Sequence, residues 1–126
     1  MNSQSTSHTA NRDLGQRGEN LATEYLEALG YSILDRNWRG SRCELDIVAR
    51  DGLCLVFCEV KTRSSAVRGY PIEAVTPRKL DNIRSAALTW LANHRVRHSG
   101  MRIDVVGIVL SRESDVEITH VKGVEQ

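Results

Sequence analysis

The chain has 126 residues, of which 40% are hydrophobic and 26% are charged, values typical of one soluble globular domain. No apolar stretch approaches the roughly 20 residues needed to span a bilayer, and the first residues lack the pattern of a signal peptide. We therefore expect a cytoplasmic protein with no membrane partner. We expect a mobile tail over residues 1–10, a single domain over 11–122 and a short C-terminal tail over 123–126.

Three cysteines form an odd count in a chain without an export signal, which argues against a disulfide framework. Cys54 and Cys58 are four residues apart in a predicted strand, so they lie about 13 Å from each other. One tetrahedral zinc ion cannot bind both. We therefore expect reduced thiols within a sheet.

The net charge of +1 does not by itself indicate a nucleic-acid-binding protein. The distribution of charge is more informative, because three arginines lie between Arg36 and Arg42 and six basic residues lie between Lys61 and Arg84. These two stretches flank an acidic segment, which suits a phosphate-binding rim. Ordinary solvated charges would give the same pattern, and from charge alone that is the simpler interpretation.

The first predicted element is a helix over Asp13–Leu29, with Asp13 as its N-cap and Gly30 as its C-terminal stop. Its apolar residues form one continuous arc at 100° per residue, and Gly18 falls near the middle of that arc. A missing side chain there would allow close approach to a sheet. Glu19 lies at the edge of the arc, so it is the glutamate of this helix that could face a cleft.

Three strands are predicted next, over Tyr31–Arg36, Cys43–Arg50 and Leu53–Arg63. A polar loop over residues 37–42, which contains Trp38, separates the first two strands. The dipeptide Asp51-Gly52 between the second and third strands is a strong indicator of a two-residue hairpin turn.

A loop containing Gly69, Tyr70 and Pro71 precedes Thr76-Pro77, which predicts an N-cap followed by proline at the first helical position. The second helix is predicted to end near His94. Two further strands are predicted, over Ile103–Leu110 and Val116–Lys122. The order α-β-β-β-α-β-β predicts an α/β fold with a central mixed sheet flanked by helices, in which the second helix crosses between parallel strands.

The predicted hairpin places four charged residues on one face of the sheet, and these are Glu44, Asp46, Glu59 and Lys61. A two-residue turn at Asp51-Gly52 would set Asp46 opposite Phe57, and Asp46 and Glu59 would then be diagonal neighbours roughly 7 to 8 Å apart. Two carboxylates at that separation can converge on one oxygen-seeking cation.

Lys61 follows Glu59 by two positions, so its ammonium group lies over the same face. There it could orient an attacking water and offset the charge that builds on a phosphate in the transition state. A metal ion at the carboxylates would activate the water, so no nucleophilic side chain is required. The alternative interpretation of these residues is a surface salt bridge.

These residues also resemble a known superfamily. Glu44-Leu45-Asp46 followed by Glu59-Val60-Lys61 is similar to the active-site strands of PD-(D/E)xK nucleases, which have the restriction-endonuclease-like fold. Further motifs resemble the YraN-like family of uncharacterised bacterial proteins within that superfamily, and these are Gly18-Glu19, Gly30-Tyr31, Arg36-Asn37, Glu59-Val60-Lys61-Thr62-Arg63, Thr76-Pro77-Arg78-Lys79 and Arg102-Ile103-Asp104-Val105-Val106. Leu45 stands where the superfamily has proline, and Cys43 where the YraN-like pattern has glycine.

The resemblance implies a catalytic set of Asp46, Glu59, Lys61 and Glu19. Glu19 would be the acid that a helix contributes in the similar archaeal Holliday-junction resolvases. It further implies that Mg²⁺ or Mn²⁺ is held by Asp46, Glu59 and Glu19. Glu44 and Asp104 are left without an assigned role. Asp104 could support the site from the neighbouring strand, but a buried acid bonded to Arg102 or a backbone amide is the simpler interpretation.

The function implied is metal-dependent hydrolysis of phosphodiester bonds in DNA, including branched or structured DNA. The alternative is a non-catalytic nucleic-acid-binding module that keeps the nuclease fold. In either case the predicted phosphate contacts are Arg39, Arg63, Arg78 and Lys79. Trp38 could stack on a base or cover the end of the core. The sequence leaves open whether the domain forms a homodimer.

Overall fold

The computed structural model describes residues 3–64, 75–111 and 115–124, with side chains described from Arg12 onward. The described elements are α1 (Ser3–Ala28), β1 (Ser32–Arg39), β2 (Glu44–Asp51), β3 (Cys54–Arg63), α2 (Pro77–Asn93), β4 (Gly100–Leu110) and β5 (Val116–Val121). This is the predicted order. The predicted loop at Gly69, Tyr70 and Pro71 lies outside the described residues. Within the described part of the chain, neither helix is long and apolar enough to cross a membrane.

The five strands form one mixed sheet in the spatial order β1-β2-β3-β4-β5. Strands β3 and β4 are parallel, and the other neighbouring pairs are antiparallel. Parallel neighbours need a long crossover connection, and α2 supplies it. The prediction of an α/β fold with a mixed sheet flanked by helices is confirmed.

Side chains alternate between two cores, one on each face of the sheet. Ala22 and Leu26 of α1 pack with Ile47, Val56 and other buried residues on one face. On the other face, Ile83, Ala87 and Trp90 of α2 pack against strand residues at the intervening positions. These strand residues are Val48, Leu55 and Phe57. The alternation follows from the two-residue period of a strand, and it means that α1 and α2 cover opposite faces.

Helix α1 begins at Ser3, ten residues before the predicted start. Asp13 is therefore an internal residue of the helix, and its prediction as the N-cap is wrong. The polar residues before Asp13 contain neither proline nor glycine, so nothing there opposes helix. The C-terminal stop is confirmed, because Gly30 has φ +95° and its N–H donates to the Glu27 carbonyl at 2.9 Å.

Helix α2 has the predicted N-terminus. The Thr76 side chain accepts a hydrogen bond from the Lys79 backbone N–H at 3.1 Å, and Pro77 occupies the first helical position. The helix ends at Asn93, one residue before the predicted end. Its buried residues, including Trp90 at 1% exposure, face the sheet.

The predicted register of the β2–β3 hairpin is wrong by two residues. Asp51 pairs with Cys54, so the two turn residues are Gly52 and Leu53 and not the predicted Asp51 and Gly52. Gly52 has φ +62°, and a positive φ at the first central residue alone is typical of a type II′ turn. Because the shift is an even number, the paired residues Ile47–Asp51 keep their predicted faces while their partners change. Before the paired segment the alternation breaks, since Leu45 packs in the α2-side core and Ile47 in the α1-side core.

Strand β1 is longer than predicted and continues through part of the expected polar loop. It runs to Arg39 and contains Trp38, which packs against the α2-side core. Asn37 has φ +53° within this strand, and the register with β2 shifts between Ile33 and Asp35. Because of these irregularities, consecutive side chains of β1 do not alternate strictly between the two faces of the sheet.

Candidate active site

The β2–β3 ladder ends where the acidic residues begin. Its last pair is Ile47 with Cys58. Beyond it, the Asp46 side chain replaces a backbone partner, because its Oδ2 accepts a hydrogen bond from the Val60 N–H at 2.8 Å. A strand amide that would normally donate to a neighbouring carbonyl is thus satisfied by a carboxyl group. The two strands separate here, and the separation opens a pocket.

The pocket has a volume of about 490 Å³ and receives side chains from both faces of the sheet. Leu14, Gly15 and Glu19 of α1 line it from one side, and Lys79 of α2 lines it from the other. The strands contribute Asn37, Glu44, Asp46, Glu59, Val60, Lys61 and Thr62. Asp46, Glu59, Lys61 and Glu19, which the sequence singled out, therefore share one pocket.

Asp46 and Glu59 form a close acidic pair. Glu59 is only 4% exposed, and the side chains of the two residues are hydrogen-bonded to each other. Burial, followed by the charge of Glu59, raises the pKa of Asp46 from its ordinary 3.8 to about 8, although the bond from Val60 acts in the opposite direction. At neutral pH Asp46 is therefore mostly protonated.

Glu59 is also the meeting point of two lysines. Lys61 Nζ lies 3.6 Å and Lys79 Nζ lies 3.5 Å from the same oxygen, Glu59 Oε2. Burial alone would lower the pKa of Lys79, but the charge of Glu59 and their hydrogen bond raise the pKa above its ordinary value. The approach of Lys79 was not predicted, because it joins a strand residue to a helix residue twenty positions away.

Glu19 reaches the pocket from the α1 side, opposite to the face of Glu59 and Lys61. Its Oε1 accepts hydrogen bonds from Arg36 Nη2 at 3.0 Å, Arg36 Nε at 3.2 Å and Asn37 Nδ2 at 2.7 Å. The positive φ of Asn37 helps consecutive side chains of β1 converge on one carboxylate. The sequence analysis quoted Arg36-Asn37 only as a family motif and assigned it no contact.

Gly18 lets α1 approach β3 closely enough to place Glu19. A Cβ at position 18 would overlap the side chain of Thr62 on β3. Thr62 in turn lines the pocket. The predicted close approach of the helix to the sheet at Gly18 is therefore present in the structure, and it fixes the depth at which the next residue enters the pocket.

The predicted phosphate contacts occupy different positions. Lys79 lines the pocket, whereas Arg39 and Arg78 are exposed and Arg63 is half-buried near the end of β3, all three outside the lining. Glu44, which had no assigned role, belongs to the lining. Of the four predicted phosphate contacts, Lys79 is therefore the one that borders the acidic residues of the pocket.

Asp104 belongs to a separate buried network. It is fully buried and accepts hydrogen bonds from Arg102 Nε at 3.0 Å and from the Gly123 N–H at 3.1 Å. His120 Nε2 lies 2.8 Å from its other oxygen, and Tyr25 bonds the second nitrogen of that ring. This is the buried, satisfied acid of the simpler interpretation, and it joins β5 to α1 and β4.

The donor chemistry of the pocket suits a hard divalent cation. Carboxylate oxygens are the ligands that Mg²⁺ and Mn²⁺ prefer, and two of them are already adjacent at Asp46 and Glu59. Among the described residues, no three His, Cys, Asp or Glu side chains are close enough together to hold an ion. The pair therefore fits a cation, while Glu19 remains bonded to Arg36 and Asn37.

The fold and the pocket together define a class: an α/β protein whose mixed sheet opens between two strands into a pocket lined by acids and lysines. The chain belongs to UPF0102, an uncharacterised protein family, whose model matches residues 18–108. This is the YraN-like family that the motifs resemble. The matched range includes the pocket residues of β2, β3 and α2 together with Glu19.

Relatives from distant bacteria support the assignment over most of the chain. A UPF0102 protein of Beutenbergia cavernae is 48% identical over 111 residues, covering 88% of this chain and 94% of its own length. One from Acidothermus cellulolyticus is 44% identical over 125 residues, with 91% and 95% covered. One from Geotalea daltonii is 46% identical over 112 residues, with 89% and 88% covered.

Proposed function

We propose that this chain is a metal-dependent nuclease that hydrolyses phosphodiester bonds in DNA, including branched or structured DNA. The observation that supports this most is the buried Asp46–Glu59 pair with Lys61 beside it in an open, polar pocket. A buried pair of acids costs stability, so its presence in a folded protein favours a functional role for the pair. Residues with strongly raised pKa values in a cleft are typical of functional sites.

Asp46 and Glu59 are the residues that would hold Mg²⁺ or Mn²⁺. Such an ion, when bound, lowers the pKa of a water and withdraws electrons from phosphorus. Glu19 would complete the acidic set by exchanging its contacts with Arg36 and Asn37. Its present bonds all go to Oε1, so the described residues hold it through one oxygen.

Lys61 supplies the positive charge that the reaction needs. In hydrolysis the oxygen of water bonds to phosphorus, the bond from phosphorus to one ester oxygen breaks, and the departing oxygen gains a proton. Negative charge on the phosphoryl oxygens increases in the transition state. The Lys61 ammonium lies within the lining and is about one third exposed, so it can contact those oxygens and orient the attacking water.

The second candidate function is a nucleic-acid-binding module without catalysis. The observation that favours it is the resting state of the pocket, where Glu19 is neutralised by Arg36 and Glu59 by two lysines. Such internal pairing can stabilise a pocket that holds no ion. The exposed Arg39 and Arg78 and the half-buried Arg63 could contact phosphates in this function as well.

Cleavage and cation binding together decide between the two functions. Branched, single-stranded and duplex DNA, with an RNA strand for comparison, would be incubated with the protein and Mn²⁺. We expect cleavage of at least one DNA, its loss in Lys61→Gln, and heat on titration of Mn²⁺ into the wild type but not into Glu59→Gln. Binding of DNA without cleavage and without heat from Mn²⁺ would contradict the nuclease proposal and favour the binding module.

A further inference from the structure

Lys79 and Arg78 are neighbours in the first turn of α2, yet they face different surroundings. Lys79 lines the pocket, is 34% exposed in its side chain and lies 3.5 Å from Glu59 Oε2. Arg78 is exposed and lies outside the lining. The two residues therefore should not contribute to nucleic-acid binding in the same way.

The Lys79 ammonium shares its partner with another lysine. Lys61 and Lys79 approach the same oxygen of a single carboxylate that is 4% exposed. One carboxylate neutralises one ammonium group, so the second lysine is held more weakly than in an ordinary pair. Lys61 follows Glu59 on the same strand and cannot move far from it, whereas Lys79 comes from a separate element.

The backbone of Lys79 is fixed although its side chain is not enclosed. Its N–H donates to Thr76 Oγ1 at 3.1 Å, and Pro77 restricts the first helical position. A lysine side chain on a fixed backbone can exchange one anionic partner for another within reach of its four methylene groups. Glu59 lies within that reach, and so would a phosphate that enters the pocket.

Building on the proposed nuclease function, we propose that Lys79 is a cation-dependent phosphate contact. While Glu59 has no metal ion, it holds Lys79 as a counterion. A divalent cation at Asp46 and Glu59 takes over that charge, and Lys79 then pairs with a backbone phosphate of the bound strand. Cation binding and nucleic-acid binding are therefore coupled through one side chain, and each strengthens the other.

The test measures binding rather than cleavage. A fluorescent duplex with phosphorothioate linkages, which resist hydrolysis, would be titrated with wild type, Lys79→Gln and Arg78→Gln in EDTA and in Mn²⁺. Removing one phosphate contact near 0.1 M salt weakens binding by about tenfold and lowers the salt slope by about 0.9. We expect Lys79→Gln to show this loss only with Mn²⁺ and less than about a twofold loss in EDTA. Arg78→Gln should weaken binding alike in both buffers.

A second set of variants, made in the Glu59→Gln protein, keeps the test independent of metal binding. Glu59→Gln removes the counterion, so Lys79 should contact phosphate even in EDTA. In the Glu59→Gln protein, Lys79→Gln should weaken binding of the duplex by about tenfold without Mn²⁺. Lys79→Arg in the same protein should keep most of the affinity that Lys79→Gln loses. Circular dichroism of each variant would verify folding.

Three outcomes would overturn the inference. An equal loss for Lys79→Gln in EDTA and Mn²⁺ would make Lys79 an ordinary phosphate contact, and the nuclease proposal would stand if the wild type still cleaves DNA. The absence of any effect in either buffer would make Lys79 a structural partner of Glu59. If the wild type neither binds Mn²⁺ nor cleaves DNA, the proposed function fails, and the coupling fails with it.

Discussion

Asp46→Asn should stabilise the folded protein at neutral pH when no metal is present. The asparagine amide has nearly the same shape as the carboxyl group. Its oxygen can still accept from the Val60 N–H, which lies 2.8 Å from Asp46 Oδ2, and its nitrogen can donate to Glu59. The substitution removes a group that must either lose its charge on burial or repel its neighbour.

The size of the effect follows from the pKa of Asp46, which burial and Glu59 raise from 3.8 to about 8. The folded wild type therefore holds more protons than the unfolded chain between about pH 4 and pH 8, and its stability falls as the pH rises through that window. One pKa unit corresponds to about 1.4 kcal/mol, so the penalty at pH 7 is at most about 4 kcal/mol. Because the buried amide still loses part of its own hydration, we expect a gain of about 1 to 3 kcal/mol for the variant.

Thermal melting in EDTA at several pH values between 4 and 8 measures this effect. The melting temperature of Asp46→Asn should exceed that of the wild type by a margin that grows with pH. Asp81→Asn is the matched control, since Asp81 is 71% exposed in its side chain and pairs with Arg84 on the outer face of α2. The difference in melting temperature between Asp81→Asn and the wild type should stay small and nearly constant with pH.

Excess Mn²⁺ should cancel or reverse the difference in melting temperature between the two proteins. Only the wild type should bind the ion, and a concentration a hundred times Kd stabilises a folded protein by about 2.7 kcal/mol. A variant that melts far below the wild type in EDTA at every pH would refute the reasoning and make Asp46 a structural acid. Identical melting of both proteins with and without Mn²⁺ would refute the cation site.

Four further substitutions test the framework of the fold by urea unfolding. Gly18→Ala should destabilise by about 1 to 3 kcal/mol, because its Cβ overlaps Thr62, whereas Gly15→Ala in the same helix, with open space around it, should stabilise by about 0.5 to 1 kcal/mol. Asp104→Asn should cost about 3 kcal/mol at pH 7. Although burial acts to raise the pKa of Asp104, its hydrogen bonds lower it, so this contribution should vanish as the pH falls below about 4. Thr76→Ala should cost about 1 kcal/mol through the lost cap, and equal stability would show that α2 does not depend on it.

Sequence periodicity determined the elements of this protein and much of its site, because each depends on neighbours along the chain. The caps at Thr76 and Gly30 and the alternation along β3 are local features, and they predicted where α2 begins, where α1 ends and which face Glu59 and Lys61 share. The turn at Gly52 was located to within one residue. Its type, which decides the register, depends on the twist of the strands on either side and not on the dipeptide alone.

Only the tertiary structure decided how the acids of the pocket are held. Asp46 bonds a backbone amide on the next strand, Glu19 is held by Arg36 and Asn37 of β1, and Lys79 reaches Glu59 from a different element. Each contact joins residues 14 to 20 positions apart. Such contacts form only after the sheet and both helices are packed, because no pattern of local spacing sets the distance between separate elements.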